Sequence, residues 1–207
     1  MNNYAVQRER AKARFLTYSY EALAEKWKLA DDGVYLYVEF LGERYRIARG
    51  TAETERLLRE ENAVEPASFE ETLAIFDLLC HTEGEAPKAS GIFAPVNSLK
   101  GRPRTIGVDE KMTGKQAELY DSDWEAFRRA CEHIGGEEIK LGDIGYEFTV
   151  FRDLKLRIKF YGADEEFPAQ IVYLWDENAL EYLYYETAFY VMFYLGGKLA
   201  KLMEGEE

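Results

Sequence analysis

Three strand-like runs follow one another near the C-terminal end: Tyr-Glu-Phe-Thr-Val-Phe at 146–151, Leu-Lys-Leu-Arg-Ile-Lys-Phe-Tyr at 154–161 and Ala-Gln-Ile-Val-Tyr-Leu-Trp at 169–175. Asp153 supplies a turn former between the first two. Three consecutive strands with no helix between them pair as an antiparallel meander rather than as repeated βαβ units. Within the third, Ile171 to Trp175 is short and apolar enough for a buried strand.

Outward from this meander the pattern becomes helical. A turn of helix is expected over 178–183 and a final helix over 186–203, burying Ala188, Val191, Met192, Leu195 and Leu199. Upstream, Ser122 with Glu125 reads as a capping box. A helix carrying Trp124, Phe127, Cys131 and Ile134 follows it and ends at Gly135-Gly136. Ser68 with Glu71 makes the same pattern before Leu73, Ile75, Phe76, Leu78 and Leu79, which predicts a helix over 68–81. Residues 34–40 and 44–48, joined through Leu41-Gly42-Glu43, predict a β-hairpin. A helix is expected over 3–28, a polar connector with helical character over 52–61, and irregular chain over 82–109. The fold class is α+β: a mixed or mostly antiparallel sheet with an early hairpin and a late three-strand meander, helices packed on it. Residues 1–207 are expected to form one domain.

The net charge of −13 works against nucleic-acid binding, because phosphates would be repelled. The charge is uneven: residues 1–30 hold six basic and three acidic side chains, whereas residues 160–207 hold two basic and ten acidic. A basic partner for the acidic end is one reading; both ends facing solvent is the other. Arg8, Arg10, Lys12 and Arg14 are followed by no apolar core, so no signal peptide is expected. No apolar run reaches the length of a membrane span. Cys80 and Cys131 are too few for a four-thiolate site and are expected as buried thiols in a reducing cytoplasm.

The candidate site is the carboxylate group Asp164, Glu165, Glu166 and Asp176, with Glu177 beyond it, flanking the third strand. Such negative charge needs water, a cation or basic side chains to offset it. It could hold a hard cation or supply a general base. Alternatively, Asp164 closes a turn, Glu165 faces water, Glu166 pairs with Arg152 or Arg157, and Asp176 caps the helical turn that follows. A strand of six residues separates its ends by roughly 17–20 Å, which keeps the two acidic groups apart unless the strand bends. Lys100, Arg102 and Arg104, around Gly101 and Pro103, form a candidate anion loop. His81 and His133 sit at helix ends, and their spacing offers no zinc site. Gly196-Gly197-Lys198 lacks the rest of a phosphate loop and reads as close helix packing or a helix break.

Several local patterns then converge. Phe127 to Gly135-Gly136, Gly142-Asp143, Tyr146-Glu147-Phe148 and the strand Leu154 to Phe160 are four of them. They continue through Asp164-Glu165-Glu166-Phe167-Pro168-Ala169, Leu174-Trp175-Asp176, Tyr182-Leu183 and Glu186. Together with Phe40 to Tyr45, this series resembles the domain-of-unknown-function family 3786, Asp-Glu-Glu-Phe-Pro-Ala being its most specific part. The resemblance implies no established activity. Some relatives resemble fusions with a four-cysteine iron–sulfur module of corrinoid proteins. This chain lacks those cysteines, so any such cluster would belong to another chain.

No complete catalytic constellation is present. The expected function is a soluble, non-catalytic module that binds a protein or a cofactor, the cofactor unspecified. The partner would be another protein, or a second copy held through the aromatic C-terminal helix with Phe189, Tyr190, Phe193 and Tyr194. The alternative is a carboxylate-based or metal-assisted enzyme centred on 164–166.

Overall fold

The structure, a computed structural model, describes residues 3–58, 63–103 and 110–205. Contacts group the chain into two compact units, Met1–Pro87 with Glu181–Val191, and Lys88–Leu180 with Met192–Glu207.

The first unit opens with α1 (Asn3–Phe15) and α2 (Tyr20–Trp27). The helix expected over 3–28 is therefore two. Polar residues at 17–19 offer the backbone better partners than a continuing helix does: Thr17 Oγ1 donates to the Arg14 carbonyl, and Ser19 Oγ caps α2 by accepting from the Ala22 N–H at 3.2 Å. Next come β1 (Tyr35–Phe40) and β2 (Glu43–Ala48), paired from Tyr35↔Ala48 to Phe40↔Glu43. The two residues joining them, Leu41 at φ 47° and Gly42 at φ 74°, both take the left-handed conformation that a two-residue hairpin requires. Leu41 is held there by burial.

Within the connector expected over 52–61 to be polar and helical in character, Thr54–Leu57 is instead extended, as β3, while residues 59–61 lie outside the described residues; β4 (Val64–Pro66) follows. The order β1-β2-β3-β4 is antiparallel throughout. Pairing with β2 satisfies backbone groups that a short isolated helix would leave to water. On α3 (Phe69–Cys80) the capping box forms as read. Glu71 N–H donates to Ser68 Oγ at 3.1 Å, and the Glu71 carboxylate accepts from Ser68 N–H and from the buried Tyr45 hydroxyl. Phe15 stacks on Phe76 at 4.2 Å, and Trp27 Nε1 donates to the Leu79 carbonyl at 3.0 Å. Tyr182 completes this core, its hydroxyl donating to the Pro87 carbonyl.

The second unit is built on a five-stranded sheet. Its strands are β5 (Phe93–Pro95), β6 (Glu137–Glu138), β7 (Ile144–Phe151), β8 (Leu154–Tyr161) and β9 (Gln170–Asp176), in the order β5-β9-β8-β7-β6, all antiparallel. The late meander is β7-β8-β9. A register shift lies between Thr149 and Phe151, and Arg152 at φ 54° turns the chain into β8. A short 3-10 turn, Val96–Ser98, follows β5.

Helix α4 (Glu110–Ser122) was not foreseen, and α5 (Trp124–His133) follows it directly. The cap of α5 is Asp123, accepting from the Ala126 N–H at 2.8 Å, rather than Ser122, whose hydroxyl donates back to the Leu119 carbonyl. Tyr120 stacks on Phe127 at 4.2 Å, and both pack edge-on against Phe160. The helical turn α6 (Ala179–Tyr182) leads to α7 (Tyr185–Met203), which buries the stripe foreseen: Ala188, Val191, Met192, Leu195 and Leu199. Among the described residues, no helix is long and apolar enough to cross a membrane.

Candidate functional site

Where β5 ends, β9 continues. The β5 ladder runs from Phe93↔Asp176 only to Pro95↔Leu174, while on its other side β9 stays paired with β8 as far as Gln170. Beyond Pro95 the chain turns into the 3-10 segment, which ends the ladder but stays beside β9. A cleft of about 140 Å³ lies there, lined by Pro95, Val96, Asn97, Thr113, Ile171, Val172, Tyr173 and Met192. Side chains alternate faces along a strand, so Val172 and its two neighbours can line one space only at the strand's edge.

The cleft's walls are mostly apolar, with Asn97 and Thr113 the polar exceptions, and a polar pair ties β9 to α4 beside it. Tyr173 OH donates to Gln116 Oε1 at 3.0 Å, which ties β9 to α4. Tyr120 OH reaches the Gly196 carbonyl at 3.5 Å. Burial pushes both hydroxyls well above the ordinary phenol range, so each stays protonated and serves as a neutral hydrogen-bonding group. Size decides what the cleft can take. Typical small-molecule sites enclose about 300–1,000 Å³, whereas a cavity of about 150 Å³ holds a single benzene ring. This cleft matches one side chain.

The carboxylates foreseen as a site are spread by the fold. Asp164 closes its own turn, its Oδ1 accepting from Glu166 N–H at 2.8 Å and Phe167 N–H at 2.7 Å. Glu165 and Glu166 are exposed, and Phe167 beside them is 60% exposed. Among the described residues, no lysine or arginine pairs with these three acids. Arg157, one partner considered for Glu166, instead meets Glu147 at 2.7 Å. The loop holding them is fixed at its start, where Gly162 N–H donates to Asp143 and Ala163 N–H to Asp121.

Asp176 belongs to the other end of β9 and is 1% exposed. It accepts from Ser90 N–H and Oγ, from Gly91 N–H at 2.7 Å and from Asn178 N–H at 2.9 Å, so it binds the 88–92 loop to the strand. In the basic loop, Lys100 is 3.6 Å from Glu177 and Arg102 donates to the neighbouring Pro103 carbonyl; Arg104 lies outside the described residues. Among the described residues, no three of the His, Cys, Asp and Glu side chains are grouped to hold a metal ion. On α7, Tyr190 is 38% exposed while Phe189, Phe193 and Tyr194 are half-buried.

Sequence reading missed Thr113 and Gln116 because α4 went unassigned. One trace was present. Gly196 lies within the continuous final helix, and a β-carbon there would fall 2.1 Å from Gln116 Nε2 and 2.9 Å from the Tyr173 hydroxyl. The glycine marks the spot where another element passes.

A family model described as a domain of unknown function (DUF3786) matches residues 19–195. No curated protein and no solved structure matches the chain.

Proposed function

We propose that this chain, which belongs to the DUF3786 family, is a non-catalytic binding module that receives one apolar side chain of a partner polypeptide in the cleft beside β9. The observation that carries this reading is the cleft's size. At about 140 Å³ it cannot enclose a nucleotide, a corrinoid or a similarly large organic cofactor, and it suits a single anchoring residue. Anchors of this kind dominate the energetics of protein–protein contacts even where the surrounding area adds little. The two cysteines are free and buried, which supports a reducing, cytoplasmic setting.

The test uses Val172→Arg, which places a charge in the cleft from a half-buried position. The wild-type protein and the variant, shown to melt alike, serve as baits in an extract of the native host. A protein retained by the wild type and lost from the variant supports the reading. Identical recoveries from both overturn it.

A further inference from the structure

The loop between β8 and β9 presents an apolar knob. Phe167 is 60% exposed, yet its main chain is pinned on both sides: its N–H donates to Asp164 Oδ1 at 2.7 Å, and its carbonyl accepts from Asp164 N–H at 3.0 Å. An exposed ring on a fixed backbone loses little freedom when it is bound. Tyr161 and Trp124 are exposed at the two sides of the loop's first residue: Tyr161 precedes Gly162, and a β-carbon on Gly162 would fall 2.3 Å from the Trp124 ring. Among the described residues, three of the four large apolar side chains exposed in the second unit are thus gathered at this loop, Ile92 being the fourth.

The cleft beside β9 is the knob's complement. Its volume of about 140 Å³ matches a ring the size of benzene. Ile171 in its wall is four residues from Phe167, at most about 14 Å of chain, so knob and cleft stand at the same end of β9. Val172, also in the wall, lies directly across from Lys159 on β8, and side chains paired in this way share one face of the sheet. Lys159 meets no carboxylate among the described residues; its ammonium rests over the Tyr161 ring at 4.7 Å. Glu165 and Glu166, beside the knob, are exposed and meet no lysine or arginine among the described residues. The cleft therefore carries a cation, and the knob two anions, that their own chain leaves without a counter-charge.

We propose that the cleft's occupant is a second copy of this chain: two copies meet about a two-fold axis, each placing its Phe167 ring in the other's cleft and its Glu165 and Glu166 near the partner's Lys159. This rests on the binding-module reading and names the partner. A two-fold arrangement makes each contact twice and closes, whereas a one-way contact would string copies into open chains. Matched size brings the ring to the cleft, and matched charge favours this chain's own acidic loop over an uncharged apolar segment. The dimer is a weak one. Two rings cover little area, and a net charge of −13 on each copy opposes the approach.

Sedimentation velocity of the full chain, from about 10 μM to about 1 mM, tests this. The wild type should pass from monomer to dimer across that range. Phe167→Ala, at an exposed position, and Val172→Arg should each weaken the dimer by about tenfold or more while melting like the wild type in dilute solution. Glu165→Lys with Glu166→Lys should weaken it by roughly threefold to tenfold, and adding Lys159→Glu should restore it. A wild type that stays monomeric throughout overturns the second-copy assignment and leaves the binding-module reading to the pull-down. A dimer that survives Phe167→Ala is made by another face and overturns the proposal. A dimer that survives Val172→Arg, while that variant loses a protein in the pull-down, assigns the cleft to the other protein. Assemblies that grow beyond two copies overturn the two-fold arrangement.

Discussion

Gly196 and Gln116 stand so close that a β-carbon on the glycine would lie 2.1 Å from the glutamine's amide nitrogen. The next residue, Gly197, is exposed in the same helix and a β-carbon there would meet nothing within 4 Å. Two adjacent glycines thus have opposite reasons to be judged by substitution. Gly197→Ala relieves the entropic cost of a helical glycine and should stabilise the protein by roughly 0.5–1 kcal/mol. Gly196→Ala gains the same helix term but drives Gln116 off Tyr173, leaving buried polar groups unsatisfied at a cost of about 1–3 kcal/mol. The expected outcome is net destabilisation by about 1–2 kcal/mol, read as opposite shifts of the two urea midpoints. A stabilised Gly196→Ala would show that the Tyr173–Gln116 contact is dispensable.

Glu147 on β7 reaches across to Lys155 and Arg157 on β8. Burial alone would push its carboxyl up, but the hydrogen bonds from the two cations outweigh that and hold it below its ordinary value. A group depressed in the folded state stabilises above its unfolded pKa and loses that contribution as pH falls through the folded one. Glu147→Gln should therefore cost about 1 kcal/mol at neutral pH. The gap between variant and wild type should close as the pH drops below about 4. Urea titrations at neutral and acidic pH measure it; a gap independent of pH would contradict the pairing.

Both thiols are buried and held above the ordinary range by desolvation, Cys80 up to about 12 and Cys131 further. The thiolate is the reactive form, so neither cysteine should react with a thiol reagent such as Ellman's disulfide on the time scale of minutes in the native protein. Both should react fully in guanidinium. Rapid labelling of the native protein at neutral pH would show that one of them is exposed.

The first unit depends on residues that come late in the chain. Tyr182 and Leu183 are fully buried, and Trp27 packs on the Tyr182 ring at 6.2 Å. A fragment ending at Pro87 lacks them, and so lacks the donor to its own terminal carbonyl. Such a fragment is expected to show no cooperative thermal transition by circular dichroism, whereas we expect the full chain to unfold in one step. A cooperative melt of residues 1–87 would refute this.

Much of the architecture could be read directly. Residues 146–175 alternate or cluster apolar side chains over strand lengths with turn formers between them, and the meander β7-β8-β9 stands where they lie. The α7 stripe and the Ser68–Glu71 box were legible because both are local, set by helical spacing and by groups three residues apart. Residues 54–57 were misread because nothing local makes them extended; the β2 ladder does. Helix α4 was missed because Gly114 and a polar surface weaken its pattern, and packing against the sheet compensates. The acidic stretch was visible in full, but whether Asp164 closes a turn or meets a cation depends on where neighbouring chain lies.

The amino-acid order by itself determined the class of fold, the strand meander, the Ser68–Glu71 capping box and the concentration of negative charge at the C-terminal end. These rest on interactions between residues a few positions apart. The tertiary structure alone decided that the ladder between β5 and β9 ends at Pro95, that Thr113 and Tyr173 face one cleft, and that Asp176 is a buried clamp while Glu165 and Glu166 face water. Each of those depends on segments far apart in sequence meeting in space. Burial and hydrogen-bond completion choose among such meetings only once the whole chain has packed.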